Sequence, residues 1–302
     1  MQKTVPMRTD FITTSGRKLN YNLPPMRLWQ KAKRFGIWNP NDLDFTQDAR
    51  DWKNLDDLEQ DVILRLTTLF QAGEEAVTLD LLPLIMVMAK EGRLEDEMFL
   101  TSFLWEEAKH VDAFNRFFTQ VCPDAGDLSR YYTPSYFTMF SEELPNSLGA
   151  LLYDPSPVAQ ARASVTYNMI VEGVLAETGY HAYYSVLKQN NIFPGMLDFV
   201  GKLKQDESRH IAYGIYLLSR LTAEHGQPVW QAIEDRMNEL IEPAIGIIME
   251  SLGHYEKLPF GLEIDMFLTY AMDQFQKRME RIERAKSQTL DEVNQIALTE
   301  AE

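Results

Sequence analysis

Two copies of Glu-x-x-His, Glu107 to His110 and Glu207 to His210, are each preceded by a lone glutamate, Glu74 and Glu172. The gaps from lone glutamate to motif are 33 and 35 residues, and the whole set repeats 100 residues further on at its second glutamate. On a helix, side chains at i and i+3 share a face and lie about 4.5 Å apart along the axis, close enough for one metal ion to take both. A gap of this length is half a long helix, a short connection and half of the next helix. The lone glutamate therefore returns to the level of the Glu/His pair, and four helices converge on one point. That is the arrangement a two-metal carboxylate site in a four-helix bundle requires.

Helical phase supports an inward direction for these residues. Glu107 shares its face with Leu100, Phe103, Leu104, Val111 and Phe114, and Glu74 with Phe70, Val77 and Leu81. Glu75 falls instead beside Thr68, Gln71 and Thr78. Glu172 lies among Val165, Met169, Leu175 and Ala176, and Glu207 among Val200, Leu203 and Ile211. A buried, unpartnered carboxylate costs several kcal/mol or more. Four of them need compensating charge, which two divalent ions supply. The competing reading, ordinary salt-bridged glutamates, fits any one of them better than it fits the set.

Oxygen-rich ligation with one imidazole per metal suits iron and manganese, and the lack of thiolate argues against structural zinc. Ligand chemistry leaves Fe/Fe and Mn/Fe both open. The single cysteine, Cys122, forms no internal disulfide, which with the polar first 25 residues points to a cytoplasmic protein. No transmembrane segment is expected, because Leu81 to Ala89 is too short to span a bilayer. A net charge of −16 repels phosphate backbones, so nucleic acid is excluded as a partner.

The expected fold is all-α, a ferritin-like four-helix bundle with additional packing helices, forming a single domain over residues 1–302. Residues 1–57 read as a wrapping arm with one short helix from Met26 to Phe35. The metal-binding helices, in 58–223, run from Leu58 to Ala89 with a kink at Pro83, from Leu94 to Val121, from Val158 to Lys188 and from Met196 to Ala223. A short helix is expected over Ser135 to Leu152. Further helices, over Pro228 to Leu252 and Leu262 to Lys286, fill 224–286, and the acidic tail, 287–302, is expected to fray or pack loosely. Tyr180, Tyr183 and Tyr184 read as packing residues, His181, His225 and His254 as surface or capping residues. Lys109 and Arg209 are expected to point away from the metals and to pair with acids such as Asp112 and Asp206. The 14 methionines suit an adaptable channel or plain core filling.

The stretches Gly73-Glu-Glu-Ala-Val-Thr-Leu-Asp80, Glu107-Ala-Lys-His110, Tyr167-Asn-Met-Ile-Val-Glu172 and Asp206-Glu-Ser-Arg-His210, with Trp38-Asn-Pro and Asp44-Phe-Thr-Gln-Asp48, closely resemble one family. The chain looks like the ligand-binding oxidases related to the ribonucleotide reductase small subunit. The resemblance implies a homodimer with a mixed Mn/Fe cofactor, Glu74, Glu107 and His110 holding manganese and Glu172, Glu207 and His210 holding iron. It also implies a long-chain fatty acid bound with its carboxylate at the metals, dioxygen activation with an external electron donor, and an ether bond between Val77 and Tyr167. Val77 is three residues after Glu74 and so on the ligand face by spacing; the place of Tyr167 comes from the resemblance alone.

Other readings share the six ligands. A radical-storing reductase subunit usually carries a tyrosine four residues after the first motif histidine, where this chain has Phe114. Storage bundles are generally shorter than this chain, and an acyl desaturase-like oxygenase would differ in channel shape.

Overall fold

The computed structural model describes residues 11–300, with side chains up to residue 295, and contains no β-strand among them. The short helix of the arm is α1 (Pro24–Phe35), and Asp48–Trp52 forms α2. The tenth residue and those before it, the start of the expected arm, lie outside the described residues. A capping box of Asp56 and Glu59 starts α3 (Asp57–Asp80), satisfying two otherwise orphaned backbone donors. Pro83 ends the expected first helix at Leu81 and sits in the first turn of α4 (Leu82–Lys90), where a missing N–H costs nothing. The helix that carries the first Glu-x-x-His, α5 (Leu94–Val121), has the expected bounds.

The expected short helix is resolved into α6 (Pro134–Phe137), a π-helical stretch (Thr138–Glu143) and α7 (Leu144–Ala150). The expected third bundle helix is not uniformly α-helical either. Its α8 (Pro157–Ser164) and α9 (Glu177–Tyr183) are separated by a π-helix over Val165–Ala176 and followed by another over Tyr184–Lys188. Such wide turns are rare and gather at functional sites, and this one carries Tyr167 and Glu172. Buried Asp48 accepts the backbone N–H groups of Gly195 and Met196 at 2.9 and 2.7 Å, fixing the start of α10 (Pro194–His225).

Beyond the bundle lie α11 (Gln227–Leu252) and α12 (Ile264–Glu283), both packed on the long π-helix. The tail departs from expectation: Leu290–Glu300 forms α13 against α10, and Val293 is buried. Acidic composition concealed an amphipathic turn that uses Val293 as its anchor. The core is one continuous cluster running from Leu28 to Val293. No helix among the described residues is long and apolar enough to cross a membrane.

Candidate metal centre

The six residues singled out by spacing meet in the middle of the bundle. Glu74 comes from α3, Glu107 and His110 from α5, Glu172 from the long π-helix, and Glu207 and His210 from α10. All six are buried, and Glu75, the sequence neighbour of Glu74, is exposed. They form two overlapping sets: Glu74, Glu107, His110 and Glu207, and Glu107, Glu172, Glu207 and His210. In each set the ligand atoms lie within 4.8 Å of one another. Glu107 and Glu207 belong to both, so sequence spacing assigned Glu107 and Glu207 to one half each where the geometry shares them.

Both histidines turn Nδ1 toward the carboxylates. His110 Nδ1 lies 3.3 Å from Glu74, 3.4 Å from Glu107 and 3.5 Å from Glu207. His210 Nδ1 lies 3.4 Å from Glu107 and Glu172 and 3.6 Å from Glu207. The Nε2 atoms face acids from the opposite motif: Asp206 at 3.4 Å from His110 and Glu106 at 2.9 Å from His210. Each motif thus orients the other motif's imidazole. Carboxylates at Nε2 keep the proton there and leave Nδ1 as the donor atom for a metal.

Sequence reading missed Glu106, although the signal was present: an acid directly precedes the glutamate of both motifs, as Glu106-Glu107 and Asp206-Glu207. Of the two acids expected to partner the basic residues, Asp206 does so and Asp112 does not. Lys109 does pair with Asp206 at 3.0 Å, and Arg209 pairs with both Asp206 and Glu106, the latter at 2.7 Å. Asp112 instead takes Arg116 at 2.9 Å, because it sits one turn before it on the outer face of α5. On the π-helix, Asn168 donates to Glu172 at 2.9 Å and is itself held by Ser164.

Electrostatics mark the centre as a place built for cations. Burial raises Glu74 and Glu172 to about 7 and drives Glu207 well above the usual carboxylate range, the last with added repulsion from Glu107 and Glu172. Glu107 is held low, since the two imidazoles beside it, His110 and His210, outweigh its burial. Burial works against charge on His110 and His210, yet the surrounding carboxylates, Glu74 first for His110 and Glu207 first for His210, raise both well above the ordinary range. Glu107 Oε2, Glu172 Oε1, Glu207 Oε2 and His210 Nδ1 are buried with no hydrogen-bond partner. Native interiors rarely tolerate such atoms. Metal ions would satisfy all four, and the oxygen-rich donor set fits iron or manganese. The lone thiol, Cys122, is buried in the apolar core and takes no part.

A channel of about 150 Å³ reaches this centre, and Glu74, Glu107, Glu172 and Glu207 form its polar end. Its walls are apolar, from Leu66, Phe70, Val171, Leu175, Ile247 and Phe267 among others, and no methionine lines it. Among the described residues Met88, Met139, Met169 and Met237 are core filler, and none supports the adaptable-channel reading. Tyr180 stacks on Phe70 of the channel wall and Tyr183 meets it at a tilt, the packing role expected of them. His225 and His254 are exposed, as expected, whereas His181 is half-buried and stacks on Tyr270 at 4.4 Å.

Comparison with known proteins agrees with this geometry. The family described as "Ribonucleotide reductase, small chain" matches residues 25–283. Among solved structures, the R2-like ligand-binding oxidase from Sulfolobus acidocaldarius is 39% identical with a TM-score of 0.87, over 95% of this chain and 99% of that one. A valine-to-leucine variant of an R2-like ligand-binding oxidase with an aerobically reconstituted Mn/Fe cofactor is 38% identical with a TM-score of 0.85, over 91% of this chain and 98% of that one. A tyrosine-to-phenylalanine variant, with the Mn/Fe cofactor reconstituted anaerobically, matches equally well, at 38% and 0.85 over the same shares. The chain belongs to the ribonucleotide reductase small-chain family and, within its ferritin-like fold, to the R2-like ligand-binding oxidases.

Proposed function

We propose that this chain is a dioxygen-activating oxidase with one manganese and one iron ion, that it binds a long-chain fatty acid, and that it joins Val77 to Tyr167 through an ether bond. Glu74, Glu107 and His110 would hold the manganese and Glu172, Glu207 and His210 the iron, and Glu107 and Glu207 belong to both groups of candidate ligands. When bound, the two ions supply one-electron redox steps and activate dioxygen. Everything else falls to the protein.

Tyr167 supports this most directly. Its hydroxyl, fully buried, donates toward Glu107 Oε1 at 3.1 Å and the carbonyl of Val77 at 3.2 Å. Burial, with the charge of Glu107 adding to it, holds the phenol well above its ordinary range, so the ground state keeps its proton. Joining the Val77 Cβ to the phenol oxygen removes one C–H and one O–H hydrogen, a two-electron oxidation. Dioxygen accepts four electrons on reduction to water, so two more are needed besides those from the join, and a bound Mn(II)/Fe(II) pair would supply them. Glu107 is positioned to receive the phenolic proton. Four carboxylates neutralise two M(II) ions but fall two charges short of two M(III) ions, and a fatty-acid carboxylate at the polar end of the channel supplies one of them. Further turnover draws electrons from an external donor.

The channel supports the fatty-acid reading because an alkyl chain is narrow, needs no polar partner and gains about 25 cal/mol per Å² of apolar area buried. Ala182→Phe, which adds bulk to the channel wall at a residue outside both ligand sets, is expected to remove co-purifying fatty acid while leaving both metals bound. Lipid extraction with mass spectrometry, beside metal analysis, reads this. The whole reading is tested with an oxygen electrode. Metal-free protein loaded with Mn(II) and Fe(II) consumes dioxygen on exposure to air, whereas protein kept metal-free does not.

The crossed acids give a separate expectation. Asp206→Asn and Glu106→Gln each remove a carboxylate behind a ligand histidine, and metal affinity should fall by about 10- to 100-fold in competition with a chelator. Unchanged affinity in both would show that the imidazoles are oriented by packing alone.

Radical storage for a reductase fits less well. Phe114 is buried against Phe70 and Phe199, with no phenol to oxidise. The ammonium of Lys109 sits 4.2 Å from the Trp38 ring and 4.4 Å from the Trp105 ring. A cation over an indole makes removal of an electron from it costlier, which disfavours these tryptophans as radical carriers.

A further inference from the structure

We infer that a second cavity, between the α4–α5 connection and the C-terminal end of α10, binds a small carboxylic acid that carries its own N–H or O–H donor, of the α-amino or α-hydroxy acid class. The cavity measures about 650 Å³, and its walls include Arg93, Asp96, Gln160, Arg220, Glu224 and Asn294. This is the size of a small-molecule site. It shares no lining residue with the channel that leads to the metal centre.

Arg220 sets the ligand's acidic end. It is 1% exposed, and only its Nη1 is engaged, with Glu224 at 2.8 Å. Its Nε and Nη2 are buried without a partner. These two atoms form the side edge of the guanidinium, whose parallel N–H bonds match the two oxygens of a carboxylate. Glu224, whose two oxygens also lie 3.2 and 3.3 Å from Arg93 Nη2, makes no bond to this edge. A buried guanidinium with more than half its donors unmet is costly in a folded protein. Protein atoms cover the edge, so binding includes a small movement of the cavity wall.

Gln160 sets the donor end. Its Nε2 donates to Glu91 Oε1 at 2.7 Å and to the carbonyl of Pro155 at 2.8 Å. Both partners are acceptors, which fixes the amide orientation and leaves Oε1 as the atom without a partner. Asn294 Oδ1, on the same wall, is likewise buried and unpartnered. An occupant with acceptors only would leave these oxygens unmet. Charge selects further: Glu91, Glu95, Asp96 and Glu224 face Arg17, Arg93 and Arg220 around the cavity, so a dianion such as phosphate meets net repulsion. A monoanionic hydroxy acid meets less of it, and a zwitterion none.

The test is calorimetric titration of metal-loaded protein with each of the common amino acids, lactate, acetate, methylammonium and inorganic phosphate. At least one amino or hydroxy acid is expected to bind saturably, with acetate, methylammonium and phosphate weaker by about tenfold or more. Arg220→Lys keeps the charge and loses the fork, and Gln160→Leu removes the acceptor. Each is expected to weaken binding at least about tenfold with metal content and dioxygen consumption unchanged. In a crystal structure of the unmutated protein with the best ligand, the carboxylate should lie on the Nε/Nη2 edge of Arg220. The inference falls if no acid saturates by about 10 mM, if acetate or phosphate binds as tightly as the best acid, if the lysine variant binds unchanged, or if only water lies against Arg220.

Discussion

Replacing Glu107 with alanine is expected to take the protein from two bound metals to fewer than one, with dioxygen consumption lost. Glu107 belongs to both ligand sets, so its removal deprives each position of an oxygen donor at once. It also removes one negative charge from between two adjacent cations, and in a buried site Coulomb repulsion is poorly screened. Glu74→Ala and Glu172→Ala, each confined to one set, are expected to lose mainly one ion. Glu75→Ala, one residue away and exposed, should lose none. Metal analysis after exhaustive dialysis distinguishes these patterns. Two ions retained in the Glu107 variant would mean that the carboxylate is not shared and that the centre is assembled differently.

The contrast between Glu74 and Glu75 shows why so much of this centre is legible in the sequence. Ligands on regular α-helices obey a fixed angular step, so the i,i+3 spacing and the apolar neighbours of Glu107 and Glu207 locate them on inward faces. The bounds of α5 follow from the same periodicity and are met at both ends. Charge then makes metal the economical partner for four buried carboxylates.

Regular periodicity does not reveal the π-helical turns. A π-turn shifts the phase of every residue after it, and here it is held by interactions distant in sequence, where α11 and α12 pack on Val165–Ala176. Glu172 stands out nonetheless, because the resemblance and the loose apolar pattern both tolerate a small phase error. Tyr167 has no such local signal, and its approach to Val77 joins residues 90 apart in sequence. The crossed pairing of Glu106 with His210 and Asp206 with His110 is hidden for a related reason: repeat symmetry is visible in sequence, but which repeat supports the other is decided only by packing.

The ether bond provides the second large expectation. Protein made metal-free, loaded with Mn(II) and Fe(II) and exposed to air should yield, on digestion, a Val77 peptide joined to the Tyr167 peptide with loss of two hydrogens. In Tyr167→Phe the joined peptide should vanish while both metals stay bound, because the phenol donates to Glu107 but belongs to neither ligand set. Val77→Ala tests the other partner: it removes the tertiary Cβ–H, whose bond is weaker than that of a methyl group, and should lower the yield sharply. Omitting dioxygen should do the same in the unmutated protein, since the join needs an acceptor for two electrons. Tyr167 and Val77 are both buried, so no diffusing oxidant competes for them and the site's own geometry selects the bond. Separate peptides from protein that holds both metals and has consumed dioxygen would mean that the oxidising power goes to an external substrate in the channel instead, and Tyr167 would then act only by holding Glu107 in place.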